Sequence, residues 1–211
     1  MQIGPAPRTF GSVRRGQIMT IRKSIVAGTI AASLFLQGAQ AQDETEVSTA
    51  CDHGDSVTCL RLFKPKADLG NVYAQYDLSI VYMKGRGVPQ DYAQALYFSR
   101  LAADQGFAPA QYNLGWLFDR GLGTLQDFKE AAKYYRLSAD QGNADAQNNL
   151  GTLFAHGQGV PEDYVEAYMW FNLAAASGTV AAASNRDNIA ASMTPGQIAE
   201  AQKLSREWKP K

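Results

Sequence analysis

Two cysteines and two histidines in 211 residues leave little room for metal or thiol chemistry. A structural zinc site wants four protein ligands, and His53 and His156 lie far apart in the chain, so no metal is expected. There is no H-E-x-x-H. Lys and Arg (20) do not exceed Asp and Glu (20), so the basic footprint that nucleic-acid binding needs is absent and no nucleic-acid partner is expected. No apolar run approaches the roughly 20 residues that a membrane-spanning helix requires. What is present, 45% hydrophobic and 19% charged residues, is the composition of a chain that buries a core, which excludes disorder, collagen and a polytopic membrane protein.

The zero net charge hides an asymmetry. Residues 1–41 hold five basic side chains (Arg8, Arg14, Arg15, Arg22, Lys23) and no acidic one, so the remaining 170 hold 15 basic and 20 acidic groups. Arg22-Lys23, the 12-residue apolar stretch Ile25 to Leu36 and the small-residue sequence Gly38-Ala39-Gln40-Ala41 follow one another in the order of a cleavable secretory signal. Residues 1–41 are therefore expected to be a signal peptide, cut after Ala41, with translation beginning at Met19. The protein is expected in the periplasm or outside the cell. The alternative is a retained anchor, for which the apolar core is short.

Export bears on Cys51 and Cys59, eight positions apart, because an oxidising compartment lets a thiol pair close. His53-Gly54-Asp55 offers the reversing turn, so a disulfide is expected. A partial zinc site of Cys51, His53 and Cys59 is the other reading, and it lacks a fourth ligand.

Self-similarity decides the fold. Gly70, Gly106, Gly142 and Gly178 stand 36 apart, and the same interval links Ala74, Ala110 and Ala146; Leu78, Leu114 and Leu150; Tyr82, Phe118 and Phe154; Gly85, Gly121 and Gly157; Gly87, Gly123 and Gly159; and Asp91, Asp127 and Asp163. Ala74, Leu78, Val81 and Tyr82 make one apolar face of a helix over 72–84, which Gly85 ends. Asp91, Asp127 and Asp163, with Gln94, Glu130 and Glu166 three positions on, are expected to form reciprocal caps at the start of a second helix. Its inward side is Ala95, Phe98, Leu101 and Ala102. Trp170, aligned with Phe98 and Tyr134, belongs to the core.

The pattern A-x-x-x-L-x-x-x-[YF]-x-x-G-x-G, then D-x-x-x-A, then A-x-x-G, resembles the Sel1-like repeat, a relative of the tetratricopeptide repeat. The resemblance implies an all-α, right-handed α/α solenoid of 36-residue helix-turn-helix units with a carboxy-terminal pair of capping helices. The units are 70–105, 106–141 and 142–177 within 70–178. Residues 42–69 form an amino-terminal cap and 179–211 the capping helices. Arg186 to Ala190 and Met193 to Gln202 look like the family's terminal cap, with Thr194, Pro195 and Gln197 as a capping box. Ile198, Ala201, Leu204 and Trp208 are expected to cover the last unit. The cysteine pair is similar to that of the cysteine-rich secreted branch, in which such pairs clip successive helices. This chain has one pair, and Cys59 to Leu69 is short for a complete unit.

That branch has been described as β-lactamase-like, so catalytic motifs matter. No serine is followed by lysine in the S-x-x-K spacing of serine β-lactamases. Gly85-x-Gly87 ends a helix without the strand, Lys or Ser/Thr of a phosphate loop. The recurring Asp residues read as caps rather than as an acid/base pair. No catalytic residue, no cofactor and no enzymatic activity are expected.

Solenoid function resides where units differ, because shared positions are spent on packing. One stripe of each first helix varies: Asp77, Ile80 and Lys84; Asn113, Trp116 and Arg120; Asn149, Thr152 and His156. Tyr73, Pro109 and Asp145 begin the same stripes. Trp116 reads either as an aromatic anchor or as packing. His156, aligned with Lys84 and Arg120, reads as a solvated helix end. The expectation is an exported scaffold that binds a protein or peptide on the concave surface of its first helices. The alternatives are a β-lactamase-like or cell-wall-fragment-binding protein, and a structural subunit that self-associates.

Overall fold

The computed structural model describes residues 56–211, with residues 56–59 as backbone only. They fall within one compact unit, Thr49–Lys211. The signal segment, the start at Met19 and the pairing of Cys51 with Cys59 lie outside the described residues. Among those described there are nine α-helices and no strand: α1 Ser56–Asp68, α2 Val72–Lys84, α3 Tyr92–Asp104, α4 Ala108–Arg120, α5 Phe128–Asp140, α6 Ala144–His156, α7 Tyr164–Ala176, α8 Val180–Ala190 and α9 Pro195–Glu207. The first helix expected over 72–84 is α2, and α4 and α6 repeat it 36 and 72 residues on.

Each unit is built by the same local chemistry. Gly85, Gly121 and Gly157 end the first helices in the left-handed region, where a side chain would be strained, and Gly121 returns its N–H to Leu117 and Phe118. Two residues on, Gly123 lies flat on the opening turn of the preceding second helix: a methyl group there would overlap the Tyr92 carbonyl. Gly159 meets Phe128 in the same way. Glycine is needed at both because backbone touches backbone.

The second helices start as expected from Asp91, Asp127 and Asp163, each carboxylate accepting from the two N–H groups two and three residues on, at 2.9–3.1 Å. The reciprocal half is not made, which corrects the expectation. The N–H of each Asp instead donates to Tyr82, Phe118 or Phe154 at 3.0 Å, back into the helix before it. That frees the side chains at the third position. Glu130 pairs with Lys133, and Glu166 accepts from Trp170 Nε1 at 2.9 Å.

Packing between units uses three repeated devices. Alanines 95, 102, 110, 131, 139, 146, 167 and 174 are fully buried and let helices approach closely around Leu78, Leu114, Leu150, Tyr135 and Trp170. Burying one such large apolar side chain contributes about 1.5–3 kcal/mol. Second, Arg100 lies over the Phe118 ring at 5.8 Å, and Arg136 over Phe154 and Trp170 at 5.2 and 5.4 Å, each clamping one unit to the next.

The third device is a chain of glutamines. Gln105 Nε2 donates to Gln75 Oε1 (2.7 Å) and Gly70 O, while Gln75 donates to Ala67 O. Gln141, Gln111, Gly106 and Ala103 repeat this arrangement, so each turn holds the one before it. Gln147 continues to Ala139 O, but Ser177 stands where the next donor would be, and Gln147 Oε1 is buried without a hydrogen-bond partner.

At the carboxy-terminal end Thr194 and Gln197 form the complete capping box. From it α9 packs on α7, burying Ala201 and Ser205, with Leu204 and Trp208 against the core. Trp170 is buried at 2% exposure and meets Trp208 edge to face.

Candidate functional site

The first helices α2, α4, α6 and α8 share a row, and polar side chains cross it. Asn149 on α6 lies beside Tyr112 on α4. Further along, Asn185 Nδ2 on α8 donates to Asn148 Oδ1 at 3.0 Å, and Asn148 Nδ2 to Asn149 Oδ1 at 3.3 Å. The result is a polar track from α4 to α8.

Of the stripe residues read from the sequence, Lys84, Arg120 and His156 are exposed at the carboxy-terminal ends of their helices, where the charges of Lys84 and Arg120 complement the free carbonyls. Asp77, Ile80, Asn113, Trp116, Asn149 and Thr152 are half-buried. Trp116 packs against the main core cluster on one side and keeps part of its surface in solvent on the other. Thr152 turns its hydroxyl onto Asn148 O at 3.1 Å and has it satisfied within its own helix. Tyr73, at the head of the first stripe, is exposed and packs edge to face on Phe107.

Residues outside the expected set complete the surface. Tyr135 rises from the second helix α5, passes beside Gly115, and donates from its hydroxyl to Asp119 Oδ2 at 3.3 Å. Burial, then the charge of Asp119, pushes the Tyr135 phenol well above its ordinary range. Tyr112 is raised by burial and by Asp145, and Tyr76 by burial and by Asp77. All three therefore stay neutral in ordinary buffers and present hydroxyls, not phenolates. The sequence signal for Tyr76, Tyr112 and Asn148 was their 36-residue alignment immediately ahead of the stripe; for Tyr135 it was the glycine at 115.

The surface offers amide and hydroxyl hydrogen bonds, a half-open tryptophan and cations at the helix ends. Among the described residues no group of three or more His, Cys, Asp or Glu is placed to hold a metal, and no helix is long and apolar enough to cross a membrane.

The Sel1 repeat family model matches residues 72–107, 108–143 and 144–179, and the chain belongs to that family. Its repeats generally mediate protein interactions in non-catalytic scaffolds. The chain is similar to a Sel1 repeat protein from Oxalobacter formigenes, with 34% identity and a TM-score of 0.60 over 67% of this chain and 57% of that one. It is also similar to a protective antigen of uropathogenic Escherichia coli strains that displays an SLR fold, with 26% identity and a TM-score of 0.55 over 76% of this chain and 43% of that one. The chain thus spans about half the length of these two relatives. Among curated proteins no match was found.

Proposed function

We propose that this is an exported, non-catalytic scaffold that holds a protein or peptide segment along its row of first helices. Export rests on the amino-terminal order of basic pair, apolar core and small residues. The observation that carries the binding site is the contrast within the chain itself. The packing alanines and leucines (Ala74, Leu78 and Ala95 and their counterparts) are the same in all three units, while the solvent-facing stripe changes from Asp77, Ile80 and Lys84 to Asn113, Trp116 and Arg120 to Asn149, Thr152 and His156.

Such a surface fits an extended segment whose backbone meets the asparagine amides and tyrosine hydroxyls, with an apolar side chain on Trp116 and acidic groups near Arg120. Aromatic and arginine positions dominate binding energy at protein interfaces, so these two should matter most. The test is capture of partners from envelope extract by the tagged chain after signal removal. A partner held by the native surface should be lost with Trp116→Ala and with Arg120→Ala while both variants remain folded at the temperature of the assay. Undiminished capture by both variants would overturn the reading.

A further inference from the structure

The outer row of second helices is not uniform, and the chain itself shows what one part of it accepts. On α7 the seat is taken by α9. Gln202 Nε2 reaches the Tyr168 hydroxyl and Ser205 Oγ the Met169 carbonyl, both at 3.4 Å. Trp208 meets Trp170 edge to face at 6.4 Å, with its ring 3.9 Å from where a side chain on Gly142 would begin. Beyond the helix, Lys211 donates from its backbone N–H to Asp140 O and from Nζ to Asp140 Oδ2, both at 2.8 Å. The seat is therefore Tyr168, Met169 and Trp170, with the open glycine 142 and the acid 140.

Seventy-two residues earlier the same positions hold Leu96, Tyr97, Phe98, Gly70 and Asp68. The apolar pair, the aromatic, the glycine and the acid are all retained. One unit away the corresponding pair is Ala132 and Lys133, which puts a charge where Met169 lies under α9. Unlike its counterpart on α7, the rim of the α3 seat is uncovered among the described residues, with Phe98 buried beneath it against Tyr82. Tyr97 is 56% exposed, Leu69 beside Gly70 is 89% exposed, and no atom lies within 4 Å of where a side chain on Gly70 would start. Asp68 pairs with Lys64 on its own helix, in an exposed ion pair of the kind that contributes little and exchanges readily.

We propose that the outer face of α3 is a docking surface for an amphipathic helix of another protein, built like α9. That helix carries small residues at i and i+4 as at Ala201 and Ser205, and is followed by an aromatic at its carboxy-terminal cap as at Trp208 and a lysine three positions beyond it as at Lys211. The aromatic covers Gly70 and Leu69 beside Tyr97, the small residues ride over Tyr97, and the lysine reaches Asp68. This site is on the second helices and does not depend on the binding stripe of the first.

The chain supplies its own probe. A fluorescently labelled peptide of residues 194–211, titrated with the full chain and followed by anisotropy, should bind with saturation below about 1 mM. Tyr97→Glu and Leu69→Glu in the protein, and Trp208→Ala in the peptide, should each weaken binding at least tenfold. Trp116→Ala and Lys84→Ala, on the first helices, should leave it unchanged. Matched melting curves show that the exposed substitutions leave the fold intact. No binding to the full chain would overturn the proposal. Binding indifferent to Tyr97→Glu and Leu69→Glu, as expected if the peptide merely displaced α9 from α7, would overturn it equally.

Discussion

Tyr135 fills the space that Gly115 leaves empty: a methyl group on Gly115 would lie 2.8 Å from Tyr135 Cδ1 and 3.0 Å from Cε1. One unit on, Gly151 stands in the same relation to Phe171. In the first unit the two positions are Ser79 and Ser99, both fully buried. The absence of a side chain on one helix and the presence of a large ring on the other are one feature, and each unit solves it with its own pair.

Gly115→Ala should therefore destabilise by about 1–3 kcal/mol through overpacking, although alanine is the better helix former. Tyr135→Leu alone should also destabilise. Combined with Gly115→Ala it should cost less than the two added together, because the shorter side chain relieves the clash. Urea unfolding of the four variants measures the coupling; strict additivity would show that the ring can move aside freely.

The capping residues separate in the same assay. Asp127→Ala should cost about 1 kcal/mol, since two N–H groups lose their acceptor. Glu130→Ala should cost well under half of that, because its side chain makes only an exposed pair with Lys133. Equal losses would mean that Glu130 closes the cap after all.

Ser177→Gln should stabilise the chain by about 1 kcal/mol. The backbone at 177 has nearly the torsions of Gln105 and Gln141, and the new amide would supply the donor that Gln147 Oε1 lacks. Gln141→Ala should do the reverse and leave Gln111 Oε1 unpaired. A rise in denaturation midpoint at unchanged slope confirms the gain; a fall shows that the position cannot admit the longer side chain.

Alkaline stability tests the buried phenol. Tyr135 binds its proton more tightly when folded than when unfolded, so its contribution is complete below about pH 10 and is lost as pH rises from there toward the folded value. Tyr135→Phe, the aromatic used at the aligned position 171, should cost at most about 1 kcal/mol near pH 8 and should lose less stability than the parent between about pH 10 and 11. A parallel fall of both proteins would assign the alkaline transition to other groups, Tyr112 and Tyr76 first.

The solenoid was legible because the chain writes the same contacts three times, and a residue that returns every 36 positions on an apolar face has one physical reading. Gln75, Gln111 and Gln147 return at that interval too, yet a recurring glutamine resembles a surface residue until the carbonyls at the end of the preceding helix are in place to receive it. The reciprocal caps were misread because Asp91, Asp127 and Asp163 have their N–H groups claimed by Tyr82, Phe118 and Phe154, which only the returning loop brings near. Trp116, Arg120 and Asn149 could be placed on a stripe from spacing alone. That Tyr135 would reach Asp119 follows from Gly115 letting a second-helix ring through, and the glycine takes on that meaning only once the two helices are side by side.

The contacts of Gly123 with Tyr92 and of Gly159 with Phe128 set the pitch of the stack by main chain resting on main chain. A linker lengthened by one residue would lift each hairpin off its predecessor, whereas replacing the side chains that face outward leaves the spacing untouched. Variation in such a protein is thereby channelled into the identity of outward-facing groups and the number of hairpins, and away from the distance between them.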